Sequence, residues 1–186
     1  MSTTEDAPDV IAVLRDDHRR VEELFQKVQD HARFRDRRKE LVDQVTIELV
    51  RHMVSEEEYV HPIVREAADG RAVVDHAVAA NAVAEALMKE LEPLAPTDAV
   101  FDRVFIKLMA ATRRHVVDDE AQLFPHLSAA CLPAELRELG EKVHADKSVR
   151  PTRPLQSAPA TSPDGPLAGR APGLIDRVRD ALAGTR

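Results

Sequence analysis

Two short stretches of this chain pair an imidazole with a carboxylate four residues further on: His52 with Glu56, and His115 with Asp119. On a helix, residues four apart lie on one face about a turn from each other, so each pair can grip one metal ion or bridge two. The match extends beyond the pairs, because Arg51 to Glu57 followed by Pro62 resembles Arg114 to Glu120 followed by Pro125 at a constant offset of 63. A further imidazole, His18, follows Asp17 inside another apolar stripe. All five candidate side chains fall where a helix should turn toward a core, and an unpaired charge there is costly. Imidazole and carboxylate without thiolate suit iron, manganese or zinc, and a carboxylate-bridged pair is the usual way a helical bundle holds two irons.

Four helices must position these groups. Asp9 is a good N-cap for a first helix with Val10, Leu14, Val21, Phe25 and Val28 at helical spacing. A second helix carries Val42, Val45, Leu49, His52, Glu56, Tyr59 and Ile63 and ends near Asp69-Gly70. A third, rich in Ala and Val, runs from about Val73 to Leu91 and stops at Pro93 and Pro96. A fourth starts after Asp98, places Phe105, Leu108, Thr112, His115 and Asp119 on one face, and is expected to end before Pro125. The 63-residue offset also maps the stripe of the first helix onto Val73, Ala77, Ala84, Met88 and Leu91. Two copies of a helical hairpin predict an all-α, up-down antiparallel four-helix bundle.

A short fifth helix is expected over 134–147, completing a bundle domain over 1–147. Residues 148–173 hold six of the twelve prolines among Ser, Thr, Ala and Gly and read as a solvated linker. Residues 174–186 carry Leu174, Val178 and Leu182 every fourth position, an amphipathic tail helix too short to be stable alone. At 186 residues and a net charge of -7, the chain is one domain with an appendage and lacks the basic face that phosphate neutralisation needs, so nucleic acid is not an expected partner. Cys131 is the single cysteine, which excludes an intramolecular disulfide. No leader-like or membrane-spanning apolar run is present, and a cytoplasmic location is expected. Cys131 is expected as a small buried hydrophobe, and His31, His61, His126 and His144 as surface or rim residues. Glu58-x-x-His61 and Glu141-x-x-His144 match the spacing used in ferritin-like bundles, but Glu58 and His61 lie off the apolar stripe and the second copy abuts the linker.

The segments DHRRVEELF (17–25), HMVSEEEYVHP (52–62) and HVVDDEAQLFP (115–125) resemble the ligand segments of the hemerythrin-like HHE cation-binding family, over about residues 9–130. The tail, from Lys147 through Pro154 to a terminal helix, resembles actinobacterial members. The resemblance implies a non-haem centre of two iron ions, oxo- or hydroxo-bridged, that handles O2, H2O2 or NO. Glu56 and Asp119 would bridge, His18 and His52 would cap one iron, and His115 with His76 would cap the other. Glu120 is the reserve bridge. Tyr59, seven residues after His52, reads as a core aromatic, a hydrogen-bond donor behind the ligands or a direct phenolate ligand. The departure from the family lies in the third helix, where the usual histidine is Asn81 and His76 stands five residues earlier, about 140° around the helix. That loss favours peroxide or NO chemistry, or sensing, over O2 transport, and a catalase- or peroxidase-like activity in oxidative or nitrosative stress defence is an expectation. A second expectation is a redox-, iron- or oxygen-responsive interaction protein that signals to a protein partner through its tail helix.

Overall fold

The computed structural model describes residues 8–149 and 173–183. Its long helices are α1 (Val10–Asp30), α2 (Arg35–Ser55), α4 (Gly70–Leu91) and α5 (Ala99–Asp118). The helix begun by α2 continues through a π turn at Glu56–Val60 into α3 (His61–Glu66), and that begun by α5 continues through a π turn at Asp119–Leu123 into α6 (Phe124–Ala130). The Asp9 carboxylate caps α1 by accepting from the Ala12 N–H at 2.8 Å. Hairpins α1–α2 and α4–α5 pack as an antiparallel four-helix bundle. No strand occurs among the described residues.

The π turns are the main departure from the expected helices. Proline has no N–H to return to the carbonyl one turn back. Beside Pro62 and Pro125 the bonds widen instead: the His61 N–H reaches the Glu56 carbonyl, and the Phe124 N–H reaches that of Asp119. Each bond spans five residues and closes a π turn. Pro125 therefore does not end its helix, which runs on to Ala130. The turns also reset the helical phase, because residue i+5 now stands over residue i rather than about 140° away.

The core consists of two apolar clusters with the polar residues between them. One gathers Phe25, Met53, Phe101, Phe105 and Leu108, and the other Leu14, Val60, Leu123, Phe124 and Leu127. His18, His52, Glu56, His115, Asp119 and Asn81 are all buried.

Two further helices wrap this bundle. Helix α7 (Pro133–Val149) runs along α1 and begins and ends slightly beyond the expected span. Gly140 permits the approach, since a Cβ there would lie 2.3 Å from the Pro8 carbonyl oxygen. Helix α8 (Leu174–Ala183) lies on α2 and touches α4. It buries Leu174, Ile175, Val178 and Leu182 in the same cluster as Phe25 and Phe105. Most of the expected linker, 150–172, and the last three residues of the expected tail lie outside the described residues. Cys131 is only half-buried, where α6 ends.

Candidate metal centre

His52 and Glu56 reach the interior from the end of α2 and the start of its π turn, and His115 and Asp119 do so from the equivalent place on α5. Among the described residues these four side chains bring one donor atom each within 4.8 Å of one another. His18, from the middle of α1, joins them: its Nε2 lies 3.3 Å from His52 Nε2 and 3.6 Å from an Asp119 carboxylate oxygen. Glu56 spans the group, with Oε1 3.3 Å from His52 Nε2 and Oε2 3.6 Å from His115 Nε2. Asp119 Oδ2 is 2.9 Å from His115 Nε2.

These atoms converge on shared space rather than pairing donor to acceptor. Neither Glu56 oxygen, nor Asp119 Oδ2, nor His115 Nε2 has a hydrogen-bond partner among the described residues, although all are buried. Orphaned polar atoms of this kind are a large penalty in a bundle core unless a cation gathers them. On two of the imidazoles the outward-facing nitrogen is already engaged. His18 Nδ1 lies 3.3 Å from Glu120 Oε1, and His52 Nδ1 lies 3.4 Å from Asp17 Oδ2. A carboxylate at Nδ1 fixes the tautomer that leaves Nε2 with its lone pair free for a metal. The donor set and its tautomers thus fit a cation centre.

With protons as the only cations, the titration of the cluster reflects the same convergence. Burial opposes charge on His52, but Glu56, Asp119 and Asp17 outweigh it and raise the pKa well above the ordinary value. Burial likewise opposes charge on His115, yet the carboxylates of Asp119 and Glu56 close beside it push it up to about 9. For Glu56, burial raises the pKa, but the nearby imidazoles of His52 and His115 bring it down to about 2 against repulsion from Asp119. Asp119 is held below the carboxylate range by His115, His18 and His52, again against burial.

His76 does not join the group. Its apolar line is the outer edge of α4; its side chain is 56% exposed and its Nε2 lies 3.1 Å from Asp118 Oδ2. The buried line of α4 is Val74, Ala77, Asn81, Ala84 and Met88. His76 instead stands at the mouth of a cavity of about 10 Å³, room for roughly one water, lined also by Ala77, Ala80, His115, Asp118 and Asp119. Glu120 is partly exposed and contacts His18 rather than bridging. The Tyr59 hydroxyl donates to Asp146 of α7.

Several participants were not expected from sequence. Asp17 contacts both His52 and the ammonium of Lys147 on α7. Its carboxyl is held below the ordinary value because, although burial raises it, His52 and Lys147 lower it further. Nothing in the sequence ties Asp146 and Lys147 to the site, since both lie just before the proline-rich stretch. His61, expected at the rim, is only 5% exposed, and its Nε2 is buried without a partner among the described residues. Burial lowers its pKa despite the pull of Glu56, Glu57 and Asp119, which favours the neutral ring. A signal for it existed in the repeat, where His61 occupies the place of the apolar Phe124.

A cation-gathering layer inside a duplicated helical hairpin defines a metal-binding four-helix bundle. Residues 9–127, well over half of the chain, match the hemerythrin HHE cation binding domain, and the chain belongs to that family. The fold is similar to that of a crystal structure of a hemerythrin HHE cation binding domain-containing protein from Mycobacterium kansasii. The two share 20% sequence identity with a TM-score of 0.69, over 76% of this chain and 86% of the other. A search of the curated proteins finds no match to this sequence. No helix among the described residues is long and apolar enough to cross a membrane.

Proposed function

We propose that the chain holds two iron ions on His18, His52, Glu56, His115 and Asp119, and binds or turns over a small oxidant there. The observation that carries this reading is the pair of Nε2 atoms of His18 and His52, 3.3 Å apart with both Nδ1 atoms facing carboxylates. Two lone pairs so placed repel unless a cation lies between them. Glu56, whose two oxygens face different imidazoles, and Asp119 would serve as the bridging carboxylates. Bound iron would supply redox and Lewis-acid chemistry toward O2, H2O2 or NO.

The chain's own groups shape that chemistry. Val21, Leu49 and Leu108 are buried and keep bulk water from the layer. The small cavity beside His115 and Asp119 leaves a water-sized space next to the layer on the side where a small ligand would bind. At its mouth the His76 Nε2 and Asp118 carboxylate can hold a proton between them. An asparagine in place of the third-helix histidine favours peroxide or NO turnover over reversible O2 carriage. Signalling through the tail helix is the weaker reading, because the apolar face of α8 is already covered by the bundle.

The test is iron per chain and the ultraviolet-visible spectrum of full-length protein from iron-supplemented cells, followed by exposure to H2O2, O2 and NO. Two irons, near-ultraviolet charge-transfer bands and a spectral response or turnover with one of the three are expected. An iron-free protein, or an iron-loaded one inert to all three, would refute the proposal.

A further inference from the structure

Two pairs of positions related by the 63-residue offset exchange imidazole between the two sides of the buried layer: 18 with 81, and 61 with 124. On the His18 side of the layer, the buried ring of Phe124, reaching across from the second hairpin, stacks on the imidazole with centroids 5.7 Å apart and planes 14° from parallel. Shifting by 63 residues replaces His18 with Asn81 and pairs Phe124 with His61. One side of the layer therefore has imidazole from the first hairpin's long helix against an apolar ring after the second π turn; the symmetry-related side has a short amide from the second hairpin's long helix and an imidazole after the first π turn.

His61 follows the π turn that begins at Glu56, and its N–H closes that turn on the Glu56 carbonyl. The five-residue bond brings residue 61 over residue 56, so the ring enters the core instead of standing at the rim. Its Nε2 is buried and unpartnered among the described residues, as are both amide atoms of Asn81. Ala77 and Ala80, which flank Asn81 on α4, line the cavity that reaches His115 and Asp119. The small residues on that stretch of α4 leave room on the side of the layer where His115 is the sole imidazole supplied by the two pairs.

Resting on the two-iron reading, we propose that His61 supplies the nitrogen ligand that Asn81 cannot, to the iron on the His115 side. The ligand has moved from the middle of the third long helix to the residue after the first π turn. His76, paired with Asp118 at the surface, has no part in it.

The experiment measures iron per chain and Mössbauer spectra of full-length wild type, His61→Phe, the double variant His61→Phe/Asn81→His, and His76→Ala, with helicity followed by circular dichroism. His61→Phe installs the ring that Phe124 supplies on the other side of the layer, and Asn81→His installs the imidazole that His18 supplies there, so the double variant copies the His18 arrangement. Two irons in wild type and His76→Ala, about one in His61→Phe and two again in the double variant are expected. Two irons in both wild type and His61→Phe would overturn the His61 assignment and leave the two-iron reading standing. Loss in His61→Phe without recovery in the double variant would also overturn it, since a packing role behaves that way. Fewer than two irons in wild type would refute the two-iron reading itself, and the assignment with it. Should His61→Phe lose helicity, His61→Ala with added imidazole replaces it: recovery of the second iron supports the ligand role, and no recovery overturns it.

Discussion

Replacing Asp17 with alanine removes the carboxylate that faces His52 Nδ1 at 3.4 Å while leaving every proposed metal ligand in place. The interaction is well shielded, with the His52 side chain 2% exposed and that of Asp17 10% exposed. Removing a carboxylate that orients a metal-bound imidazole costs about 10- to 100-fold in metal affinity, which is about 1.4–2.7 kcal/mol. Asp17 also anchors Lys147, so loosening of α7 is a second route to a fall in affinity. Lys147→Met separates the two effects, because it removes the anchor and keeps the carboxylate at His52. Competition for iron against a chelator of known affinity should show the 10- to 100-fold loss in Asp17→Ala and a change of less than about threefold in Lys147→Met. Both should remain helical by circular dichroism. A folded Asp17→Ala variant that retains iron with wild-type affinity would refute the idea that Asp17 sets the His52 tautomer, and an equal loss in both variants would show that α7 is the relevant element.

In metal-free protein, His115 is pushed up to about 9, so its stabilising effect is complete below its ordinary value near 6.5 and is lost as pH rises through about 9. Glu56 is pulled down to about 2, so its effect is present above about 4.5 and is lost as pH falls through about 2. Urea unfolding of metal-free protein should therefore give a midpoint that is highest between about pH 4.5 and 6.5 and falls on the alkaline side; iron loading should flatten the alkaline fall by occupying the imidazole nitrogens. Ile175, 1% exposed on α8, should lower stability by about 2–5 kcal/mol when replaced by alanine. An unchanged thermal midpoint in Ile175→Ala would mean that α8 does not sit on the bundle in solution.

The bundle was legible in the sequence because its evidence is local and repeated. The capped stripe of α1, the paired His-x-x-x-carboxylate segments and the constant offset specify helical faces, and faces specify which residues meet. His18, His52, Glu56, His115 and Asp119 were found this way, and the structure brings all five together. Errors arose where the period changed. A uniform 3.6-residue repeat sends residue 61 away from residue 56 and ends a helix at Pro125, whereas the π turns bring His61 inward and carry the helix to Ala130. His76 was misplaced for another reason: α4 is so rich in Ala and Val that two lines look equally apolar, and packing selects the one through Ala77 and Asn81. The roles of Asp146 and Lys147 could not be read at all, since they depend on where α7 settles.

That last dependence divides the protein unevenly. Every proposed ligand lies within residues 9–127, the segment that matches the family, whereas Tyr59 and Asp17 lean on Asp146 and Lys147 beyond it. The family segment decides which atoms are offered to a metal, and the helix added after it decides how firmly two of the residues beside those atoms are braced. Two chains with identical ligands but different C-terminal helices would then release iron at different rates, and a grafted α7 becomes a means of tuning the lifetime of the bound ions without changing a single donor.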